Sequence, residues 1–216
     1  MSNIANQENL LKLIFLARES KDFELSRNRF GSFSCLTPER NNILVIPKGI
    51  DAFSLRPKDI IILDRKGEII ENENNNRLPD DMNLHLVCYD EREGSVDVVM
   101  HINPKNATMR ADEGNRIIFL SDCIDPDDSE TGDISTLIKI PIAHRDYMLI
   151  KNNGIIVVGE GIFETLEKAK YIEEIAKIKV PKEEPVKVQI TDEGIVTKTQ
   201  SEPVGSINKK TFKSKL

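Results

Sequence analysis

Val98-Val99-Met100-His101-Ile102-Asn103-Pro104 reads as a buried strand of mostly β-branched and apolar residues that runs out into a polar turn, carrying a single imidazole as it leaves the core. Further along, Leu149-Ile150-Lys151-Asn152-Asn153-Gly154-Ile155-Ile156-Val157-Val158-Gly159 repeats the pattern. An apolar strand breaks at a polar pair and a glycine, and a second apolar strand follows, which is a hairpin signature.

Outward from these stretches the chain alternates between strand and helix signals. Ile162 to Ile178 has Phe163, Leu166, Ala169, Ile172, Ile175 and Ala176 recurring on one helical face. Upstream, Asp80 to Glu91 reads as a helix with Met82, Leu86 and Tyr89 on one side, capped by Asp80 or Asp81 just after Pro79. The Asn- and Glu-rich run from Glu71 to Arg77 is too polar to bury and is expected to be an exposed loop. Ile60 to Ile70 carries an Asp-Arg-Lys-Gly turn between β-branched runs, and Gly31 to Ile46 is a hairpin with a longer loop. The chain opens with Leu10, Leu11, Leu13, Ile14 and Leu16 at helical spacing, with Asn6 as its cap. Val96 to Ile102 and Ile117 to Leu120 are expected strands, Ala107 to Asp112 a short helix, and Asp122 to Asp133 an acidic loop.

A chain of 216 residues, 39% apolar and 31% charged, can bury one sizeable core. A net charge of -6 gives no pull toward polyanions, which argues against nucleic acid or an anionic membrane as partner. The three cysteines, Cys35, Cys88 and Cys123, fit neither a disulfide framework nor a thiolate metal cluster, and are expected to be small buried residues in a reducing compartment. No signal peptide or membrane-spanning apolar run is read, so the expected location is the cytoplasm. From Pro181 large apolar residues become scarce, which marks 181–216 as linker and tail. Within it, 186–198 alternates like a small hairpin that would have to dock on the main domain or on a neighbouring subunit. The basic end, Asn208 to Leu216, reads as a solvated terminus with room for a protein partner.

Taken together, the two opening stretches and the phrases before them resemble the class II aldolase and adducin family, from about Glu8 to Ile178. The matching phrases are Pro47-Lys48-Gly49, Leu55-Arg56-Pro57-Lys58-Asp59-Ile60, Leu63-Asp64-Arg65-Lys66-Gly67, Pro79 and His85. The resemblance implies an α/β fold, a three-layer α-β-α sandwich with a mostly antiparallel central sheet, spanning 1–180. It also implies a homo-oligomer with active sites between subunits. The family's phosphate-gripping positions fall on Gly31, Ser32, Lys48, Gly49, Asp80 and Asp81, and its catalytic glutamate on Met82. Its three zinc histidines fall on His101, Asn103 and Asn153.

These residues depart from what that chemistry needs. Two imidazoles replaced by neutral carboxamides should abolish tight zinc binding. A thioether cannot act as general base. Two aspartates beside a phosphate dianion cost free energy, which Lys48 offsets only in part. The expectation is a catalytically degenerate scaffold or binding protein with no cofactor and no assigned catalytic residue. The alternative is a divergent lyase acting on a small sugar or hydroxy-carbonyl compound, with zinc or another divalent metal held by a rebuilt site around His101. His101 itself reads either as such a ligand or as a hydrogen-bonded structural residue. Asp80 and Asp81 read first as helix-start carboxylates that suit the helix dipole. His85 and His144 read as structural.

Overall fold

Strand β1 (Gly31–Leu36) shows how this chain builds a sheet covered on both faces. Phe33 and Cys35 point into one apolar cluster, while Leu36 points into another on the opposite face. The same two-residue alternation divides β5 (Val98–Ile102), where Val98, Met100 and Ile102 go one way and Val99 the other. In a computed structural model of the chain, residues 2–26, 31–113, 123–124, 134–178, 188–191 and 194–197 are described.

Among the described residues eight strands form one sheet in the order β4-β3-β2-β1-β5-β8-β7-β6. Besides β1 and β5 they are β2 (Asn42–Val45), β3 (Ile61–Asp64), β4 (Ile69–Glu71), β6 (Cys123–Ile124), β7 (Tyr147–Ile150) and β8 (Gly154–Gly159). All neighbours run antiparallel except β6 and β7, which are parallel. Helices α1 (Ser2–Asp22), α3 (Lys105–Asp112) and α5 (Ile162–Ala176) cover one face, and α2 (Met82–Glu91) and α4 (Ile134–Ile142) cover the other. This is the three-layer α-β-α sandwich with a mostly antiparallel sheet that the sequence leads one to expect.

Several local expectations are corrected. Helix α1 begins ahead of Asn6, so that residue lies within it and is no cap. Phe163 is not on the buried stripe of α5. It is 59% exposed, and its ring tilts against Phe15 of α1 at 5.4 Å between centroids, while Ile162, Leu166, Ala169, Ile172 and Ala176 fill the core. Helix α4 has no counterpart among the sequence expectations, because Pro141 near its end reads as a break. Pro141 brings no N–H to the helical ladder, yet the last turn still closes across it, with Ala143 N–H donating to Lys139 O at 3.2 Å. The polar run 71–77 is stitched down. Asn74 and Asn76 donate to the Asp59 carboxylate (2.7 Å) and carbonyl (2.8 Å), and Lys48 N–H donates to Arg77 O (2.8 Å), which delivers Pro79 to Asp81 to the sheet.

Sheet edge β4 is three residues long and exposed, and its pairing with β3 shifts register at Ile62/Leu63. Among the described residues no helix is long and apolar enough to cross a membrane. The strand expected at 117–120 and most of the acidic loop 122–133 lie outside the described residues. Of that stretch only Cys123–Ile124 is described, as β6. The chain divides into two units, Met1–Val180 and Pro181–Leu216. In the second, β9 (Val188–Thr191) and β10 (Gly194–Thr197) pair antiparallel, and the rest, including the basic end, lies outside the described residues.

Candidate functional site

Pairing between β1 and β5 sets Ser32 directly across from His101. Both side chains leave the sheet on the α2 side, where the start of α2 brings Asp81 between them. Ser32 Oγ donates to Asp81 Oδ2 at 2.6 Å, and His101 Nδ1 donates to the same oxygen. On its other side His101 Nε2 donates to the main-chain oxygen of Asn153 at 2.6 Å. An acceptor thus stands at each nitrogen, so both are engaged within the protein.

Asp81 is therefore more than a helix-start carboxylate. It holds the N-cap position of α2 but makes no side-chain cap bond, because its carboxylate is turned onto His101 and Ser32. Burial opposes its charge, yet the His101 hydrogen bond, the nearby His85 ring and the Ser32 hydroxyl hold its carboxyl well below the usual carboxylate range. Met82 points the other way, into the cluster beneath α2, so the side chain beside His101 is Asp81. The one-residue ambiguity in a run such as Pro79-Asp80-Asp81-Met82 is what the sequence hides. A helix start turns each successive side chain by about 100°, from the 3.6-residue period.

Beneath Ser32, and fully buried, lies His85. Its Nε2 is 2.8 Å from Ser32 Oγ and its Nδ1 is 2.7 Å from Ser34 Oγ, which is in turn 2.7 Å from Tyr89 Oη. Complete burial pushes the His85 imidazole down to about 4, with Asp81 pulling the opposite way. Burial likewise raises the Tyr89 hydroxyl, and it raises the Cys35 thiol to about 12, so that cysteine is an inert core residue. Sequence reading gives His85 a structural role and passes over Ser34 and Tyr89. The signal available is the i, i+4 spacing of Asp81, His85 and Tyr89 on one helix face, opposite two serines at alternate strand positions.

Above this layer opens a cavity of about 550 Å³. Gly31, Ser32, Lys48, Gly49, Asp80, Asp81, His101, Asn103 and Asn153 all line it, so the phosphate-site and zinc-site positions singled out in the sequence lie around one cavity, while Met82 does not. Its apolar wall comes from Ala17, Phe33, Ile46, Ile50 and Leu55, the last held near α1 by Arg18, which donates to Leu55 O at 3.0 Å. The two lysines at the rim are paired, Lys48 with Asp80 and Lys21 with Asp51. Gly154 has φ +79, and a Cβ there would overlap Asn103 Oδ1 and the Ile102 carbonyl, so a glycine lets the β7–β8 turn close over Asn103.

The donors on offer do not fit a three-ligand zinc centre. Both nitrogens of His101 are engaged, Asn103 Oδ1 is buried against Gly154, and Asn153 contributes its carbonyl to His101. Among the described residues no three His, Cys, Asp or Glu side chains converge as a metal-binding group.

Comparison with known proteins bears on the same frame. Residues 12–180 match the family described as Class II Aldolase and Adducin N-terminal domain. An L-fuculose phosphate aldolase of Methanococcus maripaludis is 24% identical over 147 residues, covering 64% of this chain and 78% of that protein. Among solved structures, an L-fuculose 1-phosphate aldolase superposes with a TM-score of 0.66 at 18% identity, covering 85% of this chain and 93% of the other. A sugar-phosphate aldolase from Thermotoga maritima gives 0.63 at 16% identity, covering 79% and 93%. At these identities the superpositions establish a shared fold.

Proposed function

The chain belongs to the class II aldolase and adducin family, and from that premise we propose that it uses the family's cleft without zinc, as a binding protein or scaffold for a small uncharged molecule bearing hydroxyl or carbonyl groups. The observation that carries this reading is the engagement of His101, whose two ring nitrogens face Asp81 and the Asn153 carbonyl and so are already partnered within the protein. Asp81 supports it too. A carboxyl held so low is a weak general base near neutral pH, where efficient acid-base groups titrate close to the working pH. Phosphorylated ligands are disfavoured, because each rim lysine is already matched by a carboxylate and Asp80 and Asp81 add negative charge where a phosphate would sit. We extend the proposal to a degenerate, cytoplasmic homo-oligomer, as the family resemblance and the composition suggest.

The second reading is a divergent lyase. It is favoured by one feature, the Asp81–His101 pair on the floor of a cavity large enough for a small sugar. One experiment on the full chain separates the two. Metal content is measured after dialysis, and binding of L-fuculose and of L-fuculose 1-phosphate is followed by calorimetry. The binding reading expects no stoichiometric zinc and tighter binding of the free ketose. Zinc retained at one ion per chain and lost in His101→Ala, with the phosphate ester bound more tightly, favours the lyase and sinks the proposal.

A further inference from the structure

The hydrogen bonds beneath the cavity have a definite direction, and it can be read from one end. Asp81 is a charged carboxylate and only accepts, so Ser32 Oγ–H donates to it. With its single proton committed, Ser32 Oγ must accept from His85 Nε2–H at 2.8 Å. A neutral imidazole that donates at Nε2 accepts at Nδ1, so Ser34 Oγ–H donates to it at 2.7 Å. Ser34 has then spent its proton, and the Tyr89 hydroxyl donates to Ser34 Oγ at 2.7 Å. Every donor from Tyr89 to Asp81 points toward the cavity.

We propose that His85 is a positioning residue of the cleft: it sits in the Nε2–H tautomer at the centre of a one-way hydrogen-bond chain, Tyr89 to Ser34 to His85 to Ser32 to Asp81, that fixes the Asp81 carboxylate against His101. Three observations converge on this assignment. His85, Ser34 and Tyr89 are all fully or almost fully buried, so water does not compete for their protons. Each link is a short hydrogen bond between side chains of different elements, β1 and α2, so the chain also ties the strand to the helix. Both bonds to the Asp81 carboxylate land on Oδ2, and Asp81 itself lines the cavity. His85 touches no part of the cavity itself and acts through Ser32. Such a chain is cooperative, since each bond polarises the next in a medium of low dielectric.

The proposal holds in the ligand-free protein and so stands apart from the proposed function. Its test is a long-range proton–nitrogen correlation spectrum of the full chain with labelled histidines, recorded at neutral pH after treatment with a chelator. We expect His85 to give the pattern of a single neutral tautomer with the proton on Nε2. Ser32→Ala, a small change at the cavity floor, is expected to abolish that tautomer preference and to shift both His101 nitrogens, because Asp81 loses its second donor. Tyr89→Phe should leave the His101 signals in place while weakening the His85 preference. His85→Gln, which keeps a donor near the Nε2 position, should restore the wild-type His101 signals that His85→Phe displaces. A wild-type His85 protonated on Nδ1, or His101 signals unmoved by His85→Phe in folded protein, overturns the proposal. A space-filling role for His85 predicts that second outcome, and the wild-type spectrum alone decides the tautomer if the Phe variant does not fold.

Discussion

The two faces of the sheet are built by opposite means. Beneath α1, α3 and α5 the interface is a mostly apolar layer, with Phe33, Met100, Val157, Leu166 and Ile172 meeting across it. Beneath α2 the apolar cluster is interrupted by a thread of hydroxyls, imidazoles and one carboxylate, running from Tyr89 to His101. The dry face is non-directional and tolerates any side chain of the right volume. The threaded face is directional. It is favourable only while every proton has an acceptor, since an orphaned buried group costs far more than a matched pair contributes. The face that opens onto the cavity is therefore also the face whose stability depends on hydrogen-bond order.

That contrast can be broken experimentally, beginning on the dry side. Leu166→Ala should leave a cavity under α5 and lower the unfolding free energy by about 4 kcal/mol, read from urea melts, with little change in pH dependence. If acid sensitivity rose in this variant, the two faces would not be independent.

Acidification should act most strongly on the threaded side. The folded-state value of His85, about 4, lies below the ordinary 6.5, so the unfolded chain binds this proton more readily. Stability is then fully present above about pH 6.5 and is lost as pH falls toward about 4, a total of about 3 kcal/mol. Asp81, whose folded value is also depressed, adds a further loss in the same direction once the pH drops below the ordinary carboxylate value of 3.8. In His85→Gln the first of these losses should vanish from a series of melts across this range.

Smaller still is the expected effect of Ser34→Ala. It strips a donor from His85 Nδ1 and an acceptor from Tyr89, at a cost of about 2 kcal/mol. Adding His85→Phe and Tyr89→Phe to it should recover part of that loss, since an apolar set leaves nothing orphaned. Additive losses in the triple variant would mean that the thread is not a cooperative unit. The smallest change is expected at the rim, where Lys48→Ala breaks a largely exposed pair with Asp80 and should alter stability by less than about 0.5 kcal/mol in thermal melts.

The same contrast explains which parts of the molecule are legible in its sequence. The dry face writes itself into the chain as periodicity, so α5, β5 and the β7–β8 hairpin stand out in Leu, Ile and Val spacing. The positions lining the cavity can be gathered from the order of short phrases, because Gly31, Lys48, Asp80, His101 and Asn153 each sit beside a turn or strand end. The thread cannot. Ser32 and His85 lie far apart along the chain and meet only through the packing of α2 on β1, and nothing in Pro79-Asp80-Asp81-Met82 says which side chain the helix turns toward the strand. Phe163 misleads for the related reason that helical period alone does not distinguish a residue at the margin of an apolar stripe from one at its centre. Pro141 hides α4 because a proline is read as a stop, whereas here it falls one residue before the helix ends and the last turn still closes across it.

Strand β4 carries a consequence of its own. An outermost strand with two exposed isoleucines, Ile69 and Ile70, would ordinarily invite another chain to add itself along the free hydrogen-bonding rim. Here the rim is only three residues long and slips register against its neighbour, so an incoming strand would find too few aligned amides to hold on to. Brevity and misalignment thus let the protein keep apolar residues on its border without becoming the seed of a fibril.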